Sequence, residues 1–391
     1  MVSNKNVEYP HLFLRAWPFT KVPDEEFCKI WADRNKLKEE IESTFSHAIK
    51  RKISQICIFW AWYGAGKTHS LMHYQWKLNQ TGEAYVVFTE FPQNPRSFLD
   101  LCKTFSENLD FERLREILIQ VFEYLGRETQ GKERKRTFYE QIANKWRDFT
   151  NAAEKLAYSN GEEAEIAEMW MRLSNLKKKE RDAINVSANI TKDDEAIKLI
   201  TCITKSITFN SEKLKLPKIL IWMIDEFNRI DDVRREDHRT AMRFGLHKVF
   251  NHTSKNFCLV LACSTRSIDD IYTILGDALR DRLSAGAPPM RIQPLRMDEA
   301  EQFIKELLEN FRPPHTEVPE EYFPFSIEAV KYTLSHMLAN NVPLTPRKVM
   351  DFHEFVLHEG EDLIKKGEIK VIMPEFASKC FDKIPKEYYK I

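Results

Sequence analysis

The chain has 391 residues, enough to bury a large core and to form more than one domain. Its 59 Lys and Arg balance 59 Asp and Glu, so no net field draws the whole molecule onto nucleic acid or a membrane surface, and any such contact has to be local. Glycine is scarce and charged helix formers abound, which points to a largely helical α/β protein.

Residues 1–50 read as a leader and a first helix. Tyr9-Pro10, Phe13, Trp17-Pro18-Phe19 and Val22-Pro23 predict an extended segment laid against the body. Asp24-Glu25-Glu26 then opens a helical pattern through Phe27, Ile30 and Trp31. Trp31-Ala32-Asp33-Arg34 leads on to Leu37, Ile41 and Phe45 at helical spacing.

Residues 51–125 carry the most informative stretch. Ile56-Cys57-Ile58-Phe59-Trp60 is a short apolar run without turn residues, suited to a strand buried on both faces. Ala61-Trp62-Tyr63-Gly64-Ala65-Gly66-Lys67-Thr68 follows, and His69 to Trp76 continue as a helix. Strand, glycine-bearing loop, Lys-Thr and helix are the parts of a phosphate-binding loop. Gly64 and Gly66 let the backbone curl so that successive N–H groups, those around Tyr63, Ala65 and His69 among them, point at a phosphate. Lys67 supplies a mobile charge for the β- and γ-phosphates, and the Thr68 hydroxyl is a ligand for Mg²⁺. Ala61 stands where many such loops have their first glycine, a small residue that suits a negative φ. A second strand is predicted at Ala84–Thr89. The spacing of Leu114, Ile117, Leu118, Val121, Phe122 and Leu125 predicts a core-facing helix.

Residues 126–210 change character and read as a helical, charged insertion. Two basic runs, Lys132-Glu133-Arg134-Lys135-Arg136 and Lys177-Lys178-Lys179-Glu180-Arg181, are interleaved with Phe138, Tyr139, Trp146, Phe149, Tyr158 and Trp170. They are either solvated helix faces or a contact to nucleic-acid phosphates.

Residues 211–295 return to a strand pattern. Ile219-Leu220-Ile221-Trp222-Met223-Ile224 is an apolar run that ends in Asp225-Glu226. In an open parallel sheet the carboxyl tips of strands are where ligands sit. Asp225 is placed to hold Mg²⁺ through its waters and Glu226 to polarise an attacking water. Phe257–Cys263 predicts a further strand, tipped by Ser264-Thr265-Arg266. Arg280 and Arg282 then precede a last short run at Met290–Leu295.

Residues 296–360 predict a helical lid. Met297, Ala300, Phe303, Ile304, Leu307 and Leu308 share one helix face, and Ile327, Val330, Leu334 and Met337 another. A third helix has Thr345 as N-cap, Pro346 at the first position and Gly360 as its terminator. Arg347 in its first turn opposes the helix dipole and so calls for an anionic partner. Residues 361–391 form a tail with one β-like run, Ile369–Met373.

In this order the parts resemble the AAA+ ATPase family, and most of all its origin-initiator and transposition-regulator branches. The resemblance implies an α/β fold: a parallel-sheet P-loop NTPase core of the AAA+ type with a large helical insertion and a small C-terminal α-helical lid. It implies ATP and Mg²⁺ as ligands and an adenine pocket built by the leader around Trp31 to Arg34. Ser264 or Thr265 would be sensor 1, and Arg347 would be sensor 2, touching the γ-phosphate from the lid. Arg282, with Arg280 in reserve, would be an arginine finger reaching a neighbour's nucleotide, hence self-association into a ring or filament. The chain departs from the family after Gly360, where some thirty residues are too few for the winged-helix DNA-binding domain of initiator relatives. Partner DNA would then be met through the insertion; an effector protein is the alternative partner.

The seven cysteines, Cys28, Cys57, Cys102, Cys202, Cys258, Cys263 and Cys380, are scattered and form no C-x-x-C pair, the pattern of reduced thiols in a cytoplasmic protein. No apolar run approaches the ~20 residues of a membrane span, and Met1-Val2-Ser3-Asn4-Lys5 is no signal peptide.

Overall fold

The computed structural model describes residues 7–19, 27–31, 34–129, 133–253, 255–283 and 288–389. The predictions made for Val22-Pro23, Asp24-Glu25-Glu26, Ala32-Asp33 and Lys132 fall outside these residues.

The apolar runs form one five-stranded parallel sheet: β1 Gln55–Ala61, β2 Ala84–Glu90, β3 Ile219–Asp225, β4 Phe257–Ser264 and β5 Met290–Arg291. Its order is β2-β3-β4-β1-β5. All seven residues of β1 and of β3 are buried, as expected of strands covered on both faces. Register pairs Glu90 with Asp225 and Trp60 with Arg291.

Chain contacts divide the molecule into two compact units. One comprises residues 41–60 and 74–291, the other residues 1–40, 61–73 and 292–391.

The first unit holds the sheet and the helices of the insertion, and they share a single apolar core. Phe105, from the helix Phe98–Glu107, lies 4.9 Å edge-on to Trp222 of β3. The helix Phe111–Glu128 buries the whole stripe foreseen for it, from Leu114 to Leu125. Phe122 stacks on Phe138 at 4.3 Å, and Phe138 stacks on Phe149 at 6.1 Å, so Phe138 and Phe149, two of the aromatics interleaved with the basic runs, are packing residues. Helix Glu236–His252 crosses the helix Phe98–Glu107 at Gly245, where an added Cβ would stand 2.1 Å from Phe98 Cγ.

The second unit packs the leader with the C-terminal helices Met297–Phe311, Ile327–Ala339, Pro346–Lys365 and Pro374–Phe381. Leu12, Leu14, Phe19 and Phe27 are buried in that core, so the aromatic leader is laid down as the sequence suggests. Two local predictions fail. Gly360 does not end its helix, which runs on to Lys365; the glycine is buried inside it because Ile372 approaches to 3.0 Å of where a Cβ would be. The run Ile369–Met373 forms only a single bridge, Ile372 to Phe325, since Pro374 starts the next helix at once. Phe27–Lys29 forms a short 3₁₀ turn.

All seven cysteines are free and buried. Among the described residues no helix is long and apolar enough to cross a membrane.

Two expected outcomes follow from this packing. Gly245→Ala should destabilise the protein by about 1–3 kcal/mol through overpacking against Phe98, more than the roughly 0.5–1 kcal/mol that alanine gains in a helix; urea denaturation measures it, and equal or higher stability would show that Phe98 moves freely. His353 is fully buried between the rings of Phe19 and Phe325, and its Nδ1–H donates to the Val349 carbonyl at 2.7 Å. Burial lowers its pKa from 6.5 to about 4. The unfolded chain therefore takes up this proton first, so the contribution is full above pH 6.5 and is lost as pH falls toward 4. His353→Phe should make the stability profile shallower over that window, read from melting temperature against pH; an unchanged slope would remove His353 as a cause.

Candidate functional site

The glycine-bearing loop leaves the end of β1. Gly64 has φ +77° and Gly66 φ +93°, left-handed values that a side chain would strain, so both glycines are needed where the sequence puts them. The Ala65 N–H closes the turn onto the Trp62 carbonyl at 3.3 Å, and the helix Lys67–Thr81 starts directly after Gly66. Thr68 falls in its first turn. Lys67 is only 5% exposed, and its ammonium donates to the carbonyls of Ala61 at 3.3 Å and Trp62 at 3.2 Å. Ser70 Oγ donates to the Gly66 carbonyl at 2.9 Å and steadies the end of the loop.

The helix Pro346–Lys365 meets this loop within the same unit. Thr345 caps it by accepting from the Lys348 N–H, and Pro346 takes the first position. The Arg347 N–H donates to the Gly64 carbonyl at 3.4 Å, and Pro346 Cγ lies 3.8 Å from where a Gly66 Cβ would be. The Arg347 guanidinium lies 5.0 Å from the centre of the Tyr63 ring. Tyr63, Gly64, Ala65, Gly66, Lys67, Thr68, His69 and Arg347 thus belong to one body.

Arg34 is a brace whose role the sequence does not disclose. Its guanidinium donates to the Ala65 carbonyl at 2.8 Å and also to the Gln293 carbonyl. These charge-assisted bonds fix the Ala65 and Gln293 carbonyls. His69 works as a strut: its Nε2 pairs with the Ile30 carbonyl at 2.8 Å, its ring lies against Phe27, and burial lowers its pKa from 6.5 to about 4. His73 repeats the contact on the Cys28 carbonyl at 2.9 Å, with Trp31 5.0 Å from its ring. The two histidines hold the leader against the first turns of the loop helix.

The acidic pair belongs to the other unit. Asp225, 1% exposed, ends β3 and accepts the Glu226 N–H at 2.9 Å. Glu226 has φ +53°, a left-handed conformation that costs a non-glycine residue roughly 1–2 kcal/mol. That turn starts the 3₁₀ helix Phe227–Asp232 and brings the Glu226 carboxylate to Ser264 Oγ, 3.5 Å away. Of the two residues proposed for the tip of β4, Ser264 is the one that reaches Glu226; the Thr265 hydroxyl is buried and makes no hydrogen bond among the described residues. Three neighbours were not foreseen. Asn228 Oδ1 accepts the Ser264 N–H at 2.8 Å and ties the two strand ends together. Arg229 stands 3.9 Å from Glu226 and 4.0 Å from Glu90, the last residue of β2. Strand-end position was the signal available for Glu90; Asn228 and Arg229 carried none.

Arg280 and Arg282 lie on the helix Ile268–Leu283, which is kinked at Gly276. Arg282 donates to Asn251 Oδ1 at 2.6 Å and lies 5.8 Å from the Phe250 ring; Arg280 lies over Tyr272 at 4.8 Å. Both are exposed, and their contacts are with these residues, not with Glu226 or Ser264.

No protein-family model matches the chain, and no curated protein does. Among solved structures the chain is similar to the Aeropyrum pernix ORC2 protein in ADPNP–ADP complexes, with 8% identity and a TM-score of 0.48 over 91% of this chain and 68% of that one. It is similar to the Aeropyrum pernix ORC1 protein in complex with DNA, with 10% identity and a TM-score of 0.47 over 95% and 70%. Drosophila ORC bound to DNA matches at 9% identity and 0.45, over 95% and 65%. A parallel sheet whose β1 runs into a glycine-turned Lys-Thr loop, and whose β3 ends in an acidic pair, is the arrangement of a P-loop NTPase core.

Proposed function

We propose that this chain binds ATP with Mg²⁺ and hydrolyses it in an oligomer, and that it acts as an ATP-switched, DNA-associated factor of the initiator, transposition or phage-defence kind. The observation that carries the nucleotide reading is the loop itself: two left-handed glycines, a helix starting behind them and a nearly buried lysine held by loop carbonyls. The N–H groups of such a loop bind phosphate oxygens, and Lys67 exchanges its carbonyl partners for them. Thr68 and Asp225 are hard oxygen donors of the type Mg²⁺ accepts. Mg²⁺ is usually held by one or two protein oxygen ligands together with substrate phosphates and water, not by a dedicated protein cage. The ion would neutralise charge on the β- and γ-phosphates.

Glu226 is the residue that takes a proton from, or orients, the attacking water. Ser264 and Asn228 fix its position, and Arg229 offsets its charge. Arg347 attends the γ-phosphate from the lid. Arg282, exposed and held by Asn251, is the group offered to a neighbouring subunit.

The basic runs support DNA unequally. In the first, Lys135 pairs with Glu154, Arg136 with Glu133 and Glu140, and Arg134 lies 4.6 Å over Tyr158, so its charge is largely answered from within. In the second, Lys177, Lys178 and Lys179 are exposed and form no ion pair among the described residues. Phosphate contact is therefore assigned to Lys177–Lys179. The self-neutralised first run favours, as a second reading, a docking surface for an effector protein.

Hydrolysis measured against protein concentration, with and without DNA, tests this. Lys67→Ala should lose nucleotide binding. Glu226→Gln should keep binding while turnover falls by about 10²–10⁴-fold, and wild-type turnover in that variant would undo its assignment. Arg282→Ala should bind ATP yet lose the rate that rises with concentration; full activity there would move the finger to Arg280. Changing Lys177, Lys178 and Lys179 together to Ala should weaken DNA binding and flatten its salt dependence. DNA-independent hydrolysis stimulated only by a protein would favour the docking reading.

A further inference from the structure

Tyr63 sits at the tip of the phosphate loop, and it is 70% exposed. It belongs to neither apolar core, so packing does not explain an aromatic side chain there. What the ring meets is Arg347, whose guanidinium carbon lies 5.0 Å from the ring centre, inside the range of a cation–π contact. The backbone of Arg347 is pinned: its N–H donates to the Gly64 carbonyl, and a Cβ on Gly64 would stand 3.2 Å from Arg347 Cβ and 3.4 Å from Thr345 Oγ1. Among the described residues no carboxylate pairs with its guanidinium. The tethered side chain has two seats of opposite character. One is the Tyr63 face at the solvent edge; the other, on the reading of Arg347 above, would be a bound γ-phosphate. One guanidinium cannot fill both.

We infer that Tyr63 is a positioning residue that holds Arg347 outside the loop until a γ-phosphate draws it in, and so sets the preference of the site for ATP over ADP. This rests on the reading of Arg347 as the lid arginine for the γ-phosphate. ADP has no third phosphate to compete for the guanidinium, so the ring acts against ATP alone.

The test is equilibrium binding of a non-hydrolysable ATP analogue and of ADP, with Mg²⁺, to the full chain and its variants. Tyr63→Ala should raise the ratio of analogue to ADP affinity about two- to five-fold, the equivalent of an exposed cation–π contact. Tyr63→Phe, which keeps a ring face, should retain the wild-type ratio. In an Arg347→Ala background, Tyr63→Ala should leave the ratio where it was. A ratio that stays constant or falls in Tyr63→Ala, or that rises as much without Arg347, overturns the role of Tyr63 while the nucleotide site stands. Binding of neither nucleotide by the wild type overturns the site itself and this inference with it.

Discussion

A full positive charge at 5% exposure is the constraint from which the loop unit is built. Buried charges persist only when polar groups surround them. Two of the groups around Lys67 are the main-chain carbonyls of Ala61 and Trp62, just before the chain turns at Gly64 and Gly66. The Ala65 N–H closes the same turn onto the Trp62 carbonyl. Arg34 on Ala65, Ser70 on Gly66 and Arg347 on Gly64 each fix one more peptide of that turn.

How much was legible in the sequence follows from how local each feature is. The strands could be read because each is a short apolar run, and the loop because its glycines, lysine and threonine are neighbours in the chain. Asp225-Glu226 was legible for the same reason. Arg34 reaches the Ala65 carbonyl across thirty-one positions and Arg347 reaches Gly64 from the far end of the chain, and no periodicity encodes such pairings. Gly360 failed as a helix terminator because its meaning is tertiary: the space above it belongs to Ile372. Asn228 looks like an ordinary loop residue until Ser264, thirty-six positions on, is seen to donate to it.

The region read as an insertion also gains meaning only in three dimensions. Its composition suggested a polar appendage, yet Phe138, Phe149 and Trp170 are buried in the core that also contains Trp222 of β3. Its helices therefore take part in holding the sheet, and loss of their packing would be felt at the strand ends that carry Asp225 and Ser264. The charges on its surface are sorted accordingly. Where helices meet, as at Lys135 and Glu154, cations find carboxylates; the exposed Lys177–Lys179, at the start of the short helix Lys178–Ala183, pair with none among the described residues.

Glu226 shows how the unit that holds the sheet shapes one of its strand ends. A glutamate in the left-handed region is held against its own preference, and such a residue persists only where its surroundings over-determine it. Three of those determinants are visible: Asp225 accepts its N–H, Ser264 Oγ lies beside its carboxylate, and Phe227 behind it is fully buried, edge-on to Phe91 at 5.6 Å. An aspartate or glutamine would share the backbone cost, but only a glutamate adds a carboxylate at this reach between Ser264 and Arg229. The strain is therefore best understood as serving the direction of that side chain. A helix cap would have been satisfied without it, because Asp225 already accepts the first N–H of the turn.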